Sequence, residues 1–230
     1  MTSDFAVGFD FDHTLGIDNK LERSTALDQL GKLAAANGLD YDLPAAEAAI
    51  DDVLAAVRAG DHSIESYIAG FYERFAPAGV AVMDFAGKFR EAVLAKAPAH
   101  IEPLPGAVDM LAQLDSAGVP YALLTNGWSP LQEEKARLIG FRGSVFVSER
   151  IGSYKPSRAA FGQLVKHFEL NPAAIWYVGD DPVADCDGAN ACGLQSVWFD
   201  WEQKTYPAEI SKPMHTIHML EELLALLPCA

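Results

Sequence analysis

The sequence predicts an α/β fold with a doubly wound parallel sheet, to which a small all-helical domain is added. Two observations support this prediction. Short apolar runs alternate with segments of helical spacing, and the stretch 17–97 shows helical spacing without a clear buried strand. We therefore expect a core domain made of residues 1–16 and 98–230, with a helical domain inserted at residues 17–97.

Five apolar runs bounded by turn residues predict buried parallel strands, at 5–9, 120–124, 144–147, 174–178 and 195–199. Helices are predicted between and after them. Val108, Leu111 and Leu114 form one apolar face in a segment that ends at Gly118, and segments 131–139, 159–168 and 219–227 have similar patterns. In the stretch 17–97 the helical spacing is carried by Leu27, Leu30, Leu33, Ile50, Val53, Leu54 and Val57.

Composition and charge restrict the class of protein. The chain has 230 residues, of which 50% are hydrophobic, so it has enough apolar material for a folded core. The 32 acidic and 17 basic residues give a net charge of −15, which disfavours electrostatic binding to nucleic acids or acidic membranes. The three cysteines lack a CxxC spacing, and we recognise neither a signal peptide nor a membrane span. We expect a soluble cytoplasmic protein.

Acidic residues follow two of the predicted strands. Asp10 and Asp12 come after the first strand, and a cluster comes after the fourth, made of Asp180, Asp181, Asp185 and Asp187. Carboxylates this close repel one another unless a cation lies between them, and oxygen ligands favour Mg²⁺. An aspartate-rich turn is an equal alternative for the first pair, and an acidic surface loop is the alternative for the second.

Two further polar groups stand in the loops of the predicted sheet. Thr125 follows the second strand and precedes Asn126, and its hydroxyl suits a phosphate oxygen. Lys155 precedes Pro156, and its ammonium can neutralise a phosphate. Taken alone, Thr125-Asn126-Gly127 is an ordinary turn sequence, and a lysine such as Lys155 is more often a solvated surface residue. Because ligands bind at the carboxyl edge of such sheets, all four segments are candidates for one site.

In this order the segments resemble the four motifs of the haloacid dehalogenase (HAD) superfamily of hydrolases. The first motif, DxDxT, corresponds to Asp10, Asp12 and Thr14. The second and third correspond to Thr125 and Lys155, and the fourth, GDxxxxD, to the segment from Gly179 to Asp185. The helical insertion between the first two motifs resembles the cap of one branch of this superfamily. The resemblance implies a Rossmann-like core with a helical cap.

The resemblance also implies an activity, because the superfamily's dehalogenases lack the second aspartate of the first motif and its phosphatases have it. Asp12 therefore indicates an Mg²⁺-dependent phosphatase acting on a small monoester such as phosphoglycolate, a sugar phosphate or a nucleotide. In this reading Asp10 is the nucleophile that forms an aspartyl-phosphate, and Asp12 is the general acid and base. Thr125, Asn126 and Lys155 bind the phosphoryl group, with main-chain amides near Asp12 and Gly127.

The same resemblance implies a set of metal ligands: Asp10, Asp180, the main-chain carbonyl of Asp12, and Asp185 either directly or through another ligand. Asp181 either binds the metal or faces a main-chain amide. In the helical domain, Arg23 is a candidate for contact with the substrate, although a solvated helix face explains it equally well. Weaker candidates there are His62, Tyr67, Tyr72 and Arg74.

Two other functions remain open at this point. A phosphomutase shares the core, and a receiver-like module also carries a phospho-acceptor aspartate on a doubly wound sheet. The physiological substrate, the residues that select it and the oligomeric state are also open. Among the remaining polar residues, we expect Thr14 to tie its own loop by hydrogen bonds, His13 to be a variable loop residue, and Asp187 and Asp200 to be solvated.

Overall fold

The computed structural model of the chain describes residues 3–38, 40–60, 63–76 and 82–228. His62, one of the candidates above, lies outside these ranges. The chain divides into two compact units. One unit is formed by Met1–Ile17 together with Ile101–Ala230, and the other by Asp18–His100.

The core unit contains eight described strands: β1 (Ala6–Phe9), β2 (Gly16–Ile17), β3 (Glu102–Pro103), β4 (Tyr121–Thr125), β5 (Ser144–Val147), β6 (Ile175–Gly179), β7 (Gln195–Phe199) and β8 (His215–Ile217). Six of them form one sheet in the order β5-β4-β1-β6-β7-β8, and every neighbouring pair is parallel. The short strands β2 and β3 pair separately and antiparallel. The strand order reverses direction at β1, where parallel sheets bind their ligands.

The chain contains helices in both units, and those of the core unit alternate with the strands as the sequence pattern predicts. In the helical unit they are α1 (Leu21–Ala36), α2 (Leu43–Ala59), α3 (Ile64–Phe75), α4 (Met83–Gly87) and α5 (Phe89–Lys96). In the core unit they are α6 (Ala107–Ala117), α7 (Leu131–Leu138), α8 (Ser148–Ile151), α9 (Arg158–Phe168), α10 (Gly188–Ala191) and α11 (Glu222–Leu226). A π-helical turn, Pro182–Asp187, follows β6. The doubly wound α/β fold is confirmed.

The helical unit is built from helices with recognisable ends. Asp42 caps the amino end of α2 by accepting a hydrogen bond from the main-chain N–H of Ala45, at 3.1 Å. Gly60 ends the same helix in the left-handed conformation, with φ of 88°. Ser63 caps α3 in the same way as Asp42 caps α2.

No helix in the described part of the chain combines the length and apolarity needed to cross a membrane.

Several local expectations differ from the structure. Strand β5 is only partly buried because it lies at the edge of the sheet, and β8 lacks the apolar run that would have marked it. Val108 is 48% exposed, because α6 turns Ala107, Met110, Leu111 and Leu114 inwards instead. The last helix is shorter than predicted, and Met219 is exposed in the preceding loop.

Asp200 is buried rather than solvated. Its carboxylate accepts a hydrogen bond from the main-chain N–H of Lys204 at 2.7 Å and closes the loop after β7. Asp187 is half-buried and accepts a hydrogen bond from the hydroxyl of Ser211. Both aspartates therefore hold local structure in the segment that leads to β8.

Candidate active site

Three adjacent strands bring the first, second and fourth motifs to the same edge of the sheet. Asp10 follows β1, Thr125 ends β4 and Asp180 follows β6, and these strands are neighbours in the order β4-β1-β6. The main-chain N–H of Asp10 donates to the carbonyl oxygen of Val178 at 2.9 Å. Pairing between β1 and β6 therefore continues up to the first aspartate and fixes its position.

Carboxylate oxygens of Asp10, Asp180 and Asp185 lie within 4.8 Å of one another. Asp185 reaches this cluster from the π-helical turn, and its Oδ2 accepts a hydrogen bond from the N–H of Asp181 at 2.9 Å. Gly179 makes room for it, because a Cβ there would lie 2.2 Å from the Cγ of Asp185. The position of Asp185 in the carboxylate cluster thus requires a residue without a side chain at position 179.

Lys155 joins two members of this cluster. Its Nζ lies 2.7 Å from Oδ1 of Asp10 and 2.6 Å from Oδ1 of Asp185, and its side chain is 2% exposed. The ring of Tyr177 lies beside the ammonium, with its centroid 5.6 Å away. Burial opposes the charge on Lys155, but Asp10 and Asp185 outweigh that effect and raise its pKa well above the usual value. The two carboxylates therefore favour the charged form of the lysine.

One ammonium does not balance three carboxylates. Burial, together with the neighbouring carboxylates, raises the pKa of Asp180 to about 8 and that of Asp185 to about 7, and it raises the pKa of Asp10 as well. Two oxygens on opposite sides of one Mg²⁺ are about 4.2 Å apart, which is compatible with carboxylate oxygens that all lie within 4.8 Å of one another. The all-oxygen donor set and its excess negative charge fit a hard divalent cation.

Asp12 lies in a separate environment with two partners from α7. Its Oδ1 accepts a hydrogen bond from Nζ of Lys135 at 2.8 Å, and its Oδ2 accepts one from Nε2 of Gln132 at 3.3 Å. Lys135 is fully buried, whereas the side chain of Asp12 is 23% exposed. The two aspartates of the first motif therefore have different partners: Asp10 pairs with Lys155, and Asp12 pairs with Lys135.

The residues of the second motif are tied to their surroundings. Asn126 exchanges two hydrogen bonds with the main chain of Lys155, at 3.0 and 2.9 Å, so its side chain orients the loop of the third motif. The hydroxyl of Thr125 donates to Oε1 of Gln132 at 3.4 Å. The N–H of Gly127, expected at a phosphate, instead donates to the hydroxyl of Ser148 at 2.9 Å.

The structure shows the contacts of two further loop residues, Asp181 and Thr14. Asp181 faces main-chain amides, because its Oδ1 accepts hydrogen bonds from the N–H groups of Val183 and Ala184. Thr14 contributes to its loop through the main chain and not through its side chain: its N–H donates to the carbonyl of Phe11 at 3.1 Å, whereas its buried hydroxyl has no hydrogen-bond partner among the described residues. The loop of the first motif is held by the main chain, since the carbonyl of Phe11 accepts from the N–H groups of Thr14, Leu15 and Gly16.

Three described candidates of the helical unit, Arg23, Tyr72 and Arg74, have partners within that unit. Arg23 is already neutralised by Asp51 and Glu47 of α2, at 3.0 and 3.5 Å. Tyr72 is buried and donates from its hydroxyl to Gln29 of α1. Arg74 lies over the ring of Phe75. The contact of Arg23 with a substrate stays a prediction.

Sequence reasoning missed Lys135, Gln132 and Tyr177. A signal for Lys135 was present, because it falls between Leu131 and Ile139 at intervals of four residues, on the buried face of α7. A lysine at an apolar position of an amphipathic helix indicates a buried partner of opposite charge. Tyr177 gave no such signal, since an aromatic residue is ordinary in a buried strand.

Comparison with known proteins identifies the family of this chain. The family model of the haloacid dehalogenase-like hydrolases matches residues 6–193. Phosphoserine phosphatase from Thermus thermophilus is 28% identical over 94% of this chain and 96% of its own length. Glyceraldehyde 3-phosphate phosphatase from Methanopyrus kandleri is 32% identical, over 54% of this chain and 59% of its own length.

A similar solved structure is that of a 2-haloacid dehalogenase from Pseudomonas syringae pv. tomato, with a TM-score of 0.74 over 97% of this chain and 98% of that one. The two sequences are 21% identical, so this similarity concerns the fold alone. The family match covers most of the chain and includes all four motifs. The chain belongs to the haloacid dehalogenase-like hydrolase family.

Proposed function

We propose that this chain is an Mg²⁺-dependent phosphatase that hydrolyses small phosphate monoesters through an aspartyl-phosphate on Asp10. The observation that carries the proposal is the separate placement of the two aspartates of the first motif. Asp10 lies in the carboxylate cluster with Lys155, and Asp12 is partly exposed beside Lys135. Hydrolysis of a monoester needs both a nucleophile and a proton donor, and these are two groups with suitable positions.

The proposed reaction has two displacements. In the first, a carboxylate oxygen of Asp10 attacks phosphorus, the bond from phosphorus to the ester oxygen breaks, and Asp12 gives a proton to the departing oxygen. In the second, Asp12 takes a proton from water as that water attacks the aspartyl-phosphate, which releases inorganic phosphate and restores Asp10. Lys155 holds one oxygen of Asp10, and Thr125 contributes a hydroxyl to the phosphoryl site.

Mg²⁺ would be held by the carboxylates of Asp10 and Asp180 and by the main-chain carbonyl of Asp12, and it would supply positive charge next to the phosphoryl group. Asp185 has both oxygens engaged, by Lys155 and by the N–H of Asp181, which favours a role in holding those groups in place. Asn126 would act through the loop of Lys155 and not by direct contact with phosphate.

The helical unit Asp18–His100 would be the cap that selects the leaving group, by analogy with the family. Candidate substrates are phosphoglycolate, sugar phosphates and nucleotides. Phosphoserine joins them because the relative from Thermus thermophilus, which aligns over nearly the whole chain, is a phosphoserine phosphatase. This part of the proposal concerns specificity and can fail without affecting the chemistry above.

Release of inorganic phosphate tests the proposal. Purified chain should hydrolyse p-nitrophenyl phosphate with Mg²⁺, lose the activity in EDTA, and lose it on Asp10→Asn. Asp109→Asn is the matched control, because Asp109 is exposed on α6. Activity that survives EDTA or Asp10→Asn would refute the mechanism.

The same assay, extended to a panel of metabolites, separates the alternatives. The panel should contain phosphoserine, phosphoglycolate, glucose 6-phosphate and a nucleoside monophosphate. Conversion of a sugar phosphate into its isomer without phosphate release would indicate a phosphomutase. Chloride release from 2-chloropropionate, without phosphate release from any ester, would indicate a dehalogenase.

A further inference from the structure

Lys135 is a fully buried lysine whose ammonium lies at the candidate active site. It lies 2.8 Å from Oδ1 of Asp12, and the centroid of the Phe11 ring is 5.9 Å away. A buried ammonium is costly unless it is paired, so its charge fixes the carboxylate of Asp12 next to it. Phe11, between the two aspartates of the first motif, is fully buried and forms part of the lining of this lysine.

Gln132 holds the other oxygen of Asp12 and connects it to the second motif. Its Nε2 donates to Oδ2 of Asp12 at 3.3 Å, and its Oε1 accepts from the hydroxyl of Thr125 at 3.4 Å. Gln132 and Lys135 are three residues apart on α7, so both side chains project from the same face of the helix. Gly127 leaves the space for Gln132, because a Cβ there would be 2.7 Å from its Nε2.

We propose that Lys135 and Gln132 are positioning residues that hold the carboxylate of Asp12 in the orientation for proton transfer to the leaving group. The inference rests on the proposed function, since it assigns how the proton donor of that reaction is oriented. Neither residue belongs to the four motifs, and α7 lies between the second and third motifs in the chain.

The two hydrogen bonds to Asp12 leave its carboxylate able to transfer a proton. A carboxylate has about four lone-pair sites on its two oxygens, and Lys135 and Gln132 each occupy one of them. A proton can therefore reside on a remaining site and pass to the ester oxygen, and the same site can receive a proton from water. The side chain of Asp12 is 23% exposed, so part of it is accessible to solvent.

Loss of this orientation should affect leaving groups unequally. An alkoxide must be protonated as it departs, whereas p-nitrophenolate departs readily without a proton. The value of kcat/KM reports the steps up to the first displacement, in which Asp12 is the acid. A positioning role therefore predicts a selective loss with alkyl phosphates, whereas a purely structural role predicts equal losses for both kinds of ester.

The experiment uses the full chain and the variants Lys135→Met and Gln132→Leu. The matched controls are Lys166→Met on α9 and Gln113→Leu on α6, because both residues are exposed. For each protein, kcat and KM are measured with Mg²⁺ on p-nitrophenyl phosphate and on an alkyl ester. The alkyl ester is whichever of phosphoserine, phosphoglycolate and glucose 6-phosphate the unaltered chain hydrolyses fastest.

We expect kcat/KM for the alkyl ester to fall roughly 10- to 100-fold in both variants, through kcat, and that for p-nitrophenyl phosphate to fall by less than about threefold. The controls should match the unaltered chain. Equal losses on the two esters, or a change confined to KM, would overturn the inference while leaving the proposed function intact. If the unaltered chain releases phosphate from no ester, the proposed function fails and the inference fails with it. If Lys135→Met does not fold, the result for Gln132→Leu decides.

Discussion

Replacement of Lys155 by methionine is the most direct perturbation of the charge balance at the carboxylate cluster. Methionine keeps an unbranched apolar side chain of similar length but lacks the ammonium. In the structure that ammonium lies 2.7 Å from Asp10 and 2.6 Å from Asp185. Both carboxylates are buried and would remain without their cation.

The size of the effect follows from this arrangement. Removal of one partner of a buried ion pair typically costs about 3–5 kcal/mol, and here one ammonium serves two carboxylates. The loss is limited because burial already raises the pKa of Asp185 to about 7, so this carboxylate can take up a proton near neutral pH and shed its charge. We therefore expect Lys155→Met to lose about 3 kcal/mol of unfolding free energy at pH 7.5 without metal.

Urea unfolding followed by tryptophan fluorescence measures this loss, in EDTA and again with Mg²⁺. Lys166→Met is the control, because Lys166 is exposed on α9. Mg²⁺ should stabilise Lys155→Met more than the unaltered chain, since the variant has the larger uncompensated negative charge. A loss below about 1 kcal/mol in EDTA, or an equal gain from Mg²⁺ in both proteins, would refute the reasoning about this cluster.

Two further predictions concern the same cluster. In EDTA the unaltered chain should lose unfolding free energy as the pH rises from 5.5 to 8, by about 1 kcal/mol per pH unit. The reason is that Asp180 in the folded chain has a pKa of about 8 and keeps a proton that the unfolded chain releases near 3.8. Urea unfolding across this range should show that Mg²⁺ reduces the loss, and a rise in stability with pH would contradict the prediction. Gly179→Ala should lower kcat at least roughly tenfold and destabilise the fold by about 2 kcal/mol, because its Cβ would collide with Asp185. Gly162→Ala, which meets open space on α9, should be neutral or stabilising by up to about 1 kcal/mol in the same assays.

The sequence was sufficient to predict the parts of the site that follow directly from strands. Asp10, Thr125 and Asp180 each come at the end of an apolar run, and parallel strands must bring such ends to one edge. The partners of Asp12 could not be predicted in this way. Lys135 is 123 residues further along the chain, and its contact with Asp12 depends on the orientation of α7, which spacing alone does not specify.

The same limit explains the other differences. The spacing of Val108 from Leu111 and Leu114 suggested a shared apolar face, but Val108 lies on the exposed side of α6. Periodicity indicates that a helix has a buried face, but it does not specify every residue at the edge of that face. Strand β8 has three residues and only Ile217 is buried, so its pairing with β7 is recognisable only in the folded sheet. The burial of Asp200 depends on a turn that brings the N–H of Lys204 back to its carboxylate.

The two aspartates of the first motif are held by a similar arrangement. Each pairs with one buried lysine, and each lysine lies beside an aromatic ring, Phe11 for Lys135 and Tyr177 for Lys155. The ring shields the ammonium from water without competing for its hydrogen bonds, so the charge is directed to the carboxylate. The two aspartates differ in exposure and in their other neighbours: Asp10 shares its lysine with Asp185, whereas Asp12 also accepts a hydrogen bond from Gln132.

Six charged groups named above can be counted together. Four carboxylates, those of Asp10, Asp12, Asp180 and Asp185, oppose the two ammonium groups of Lys135 and Lys155. The excess is two negative charges when all are ionised, which one divalent cation would neutralise. A phosphate monoester is itself an anion near neutral pH, and the chain carries a net charge of −15, so long-range electrostatics also oppose its approach. In the proposed reaction, Mg²⁺ would lower this repulsion between the substrate and Asp10.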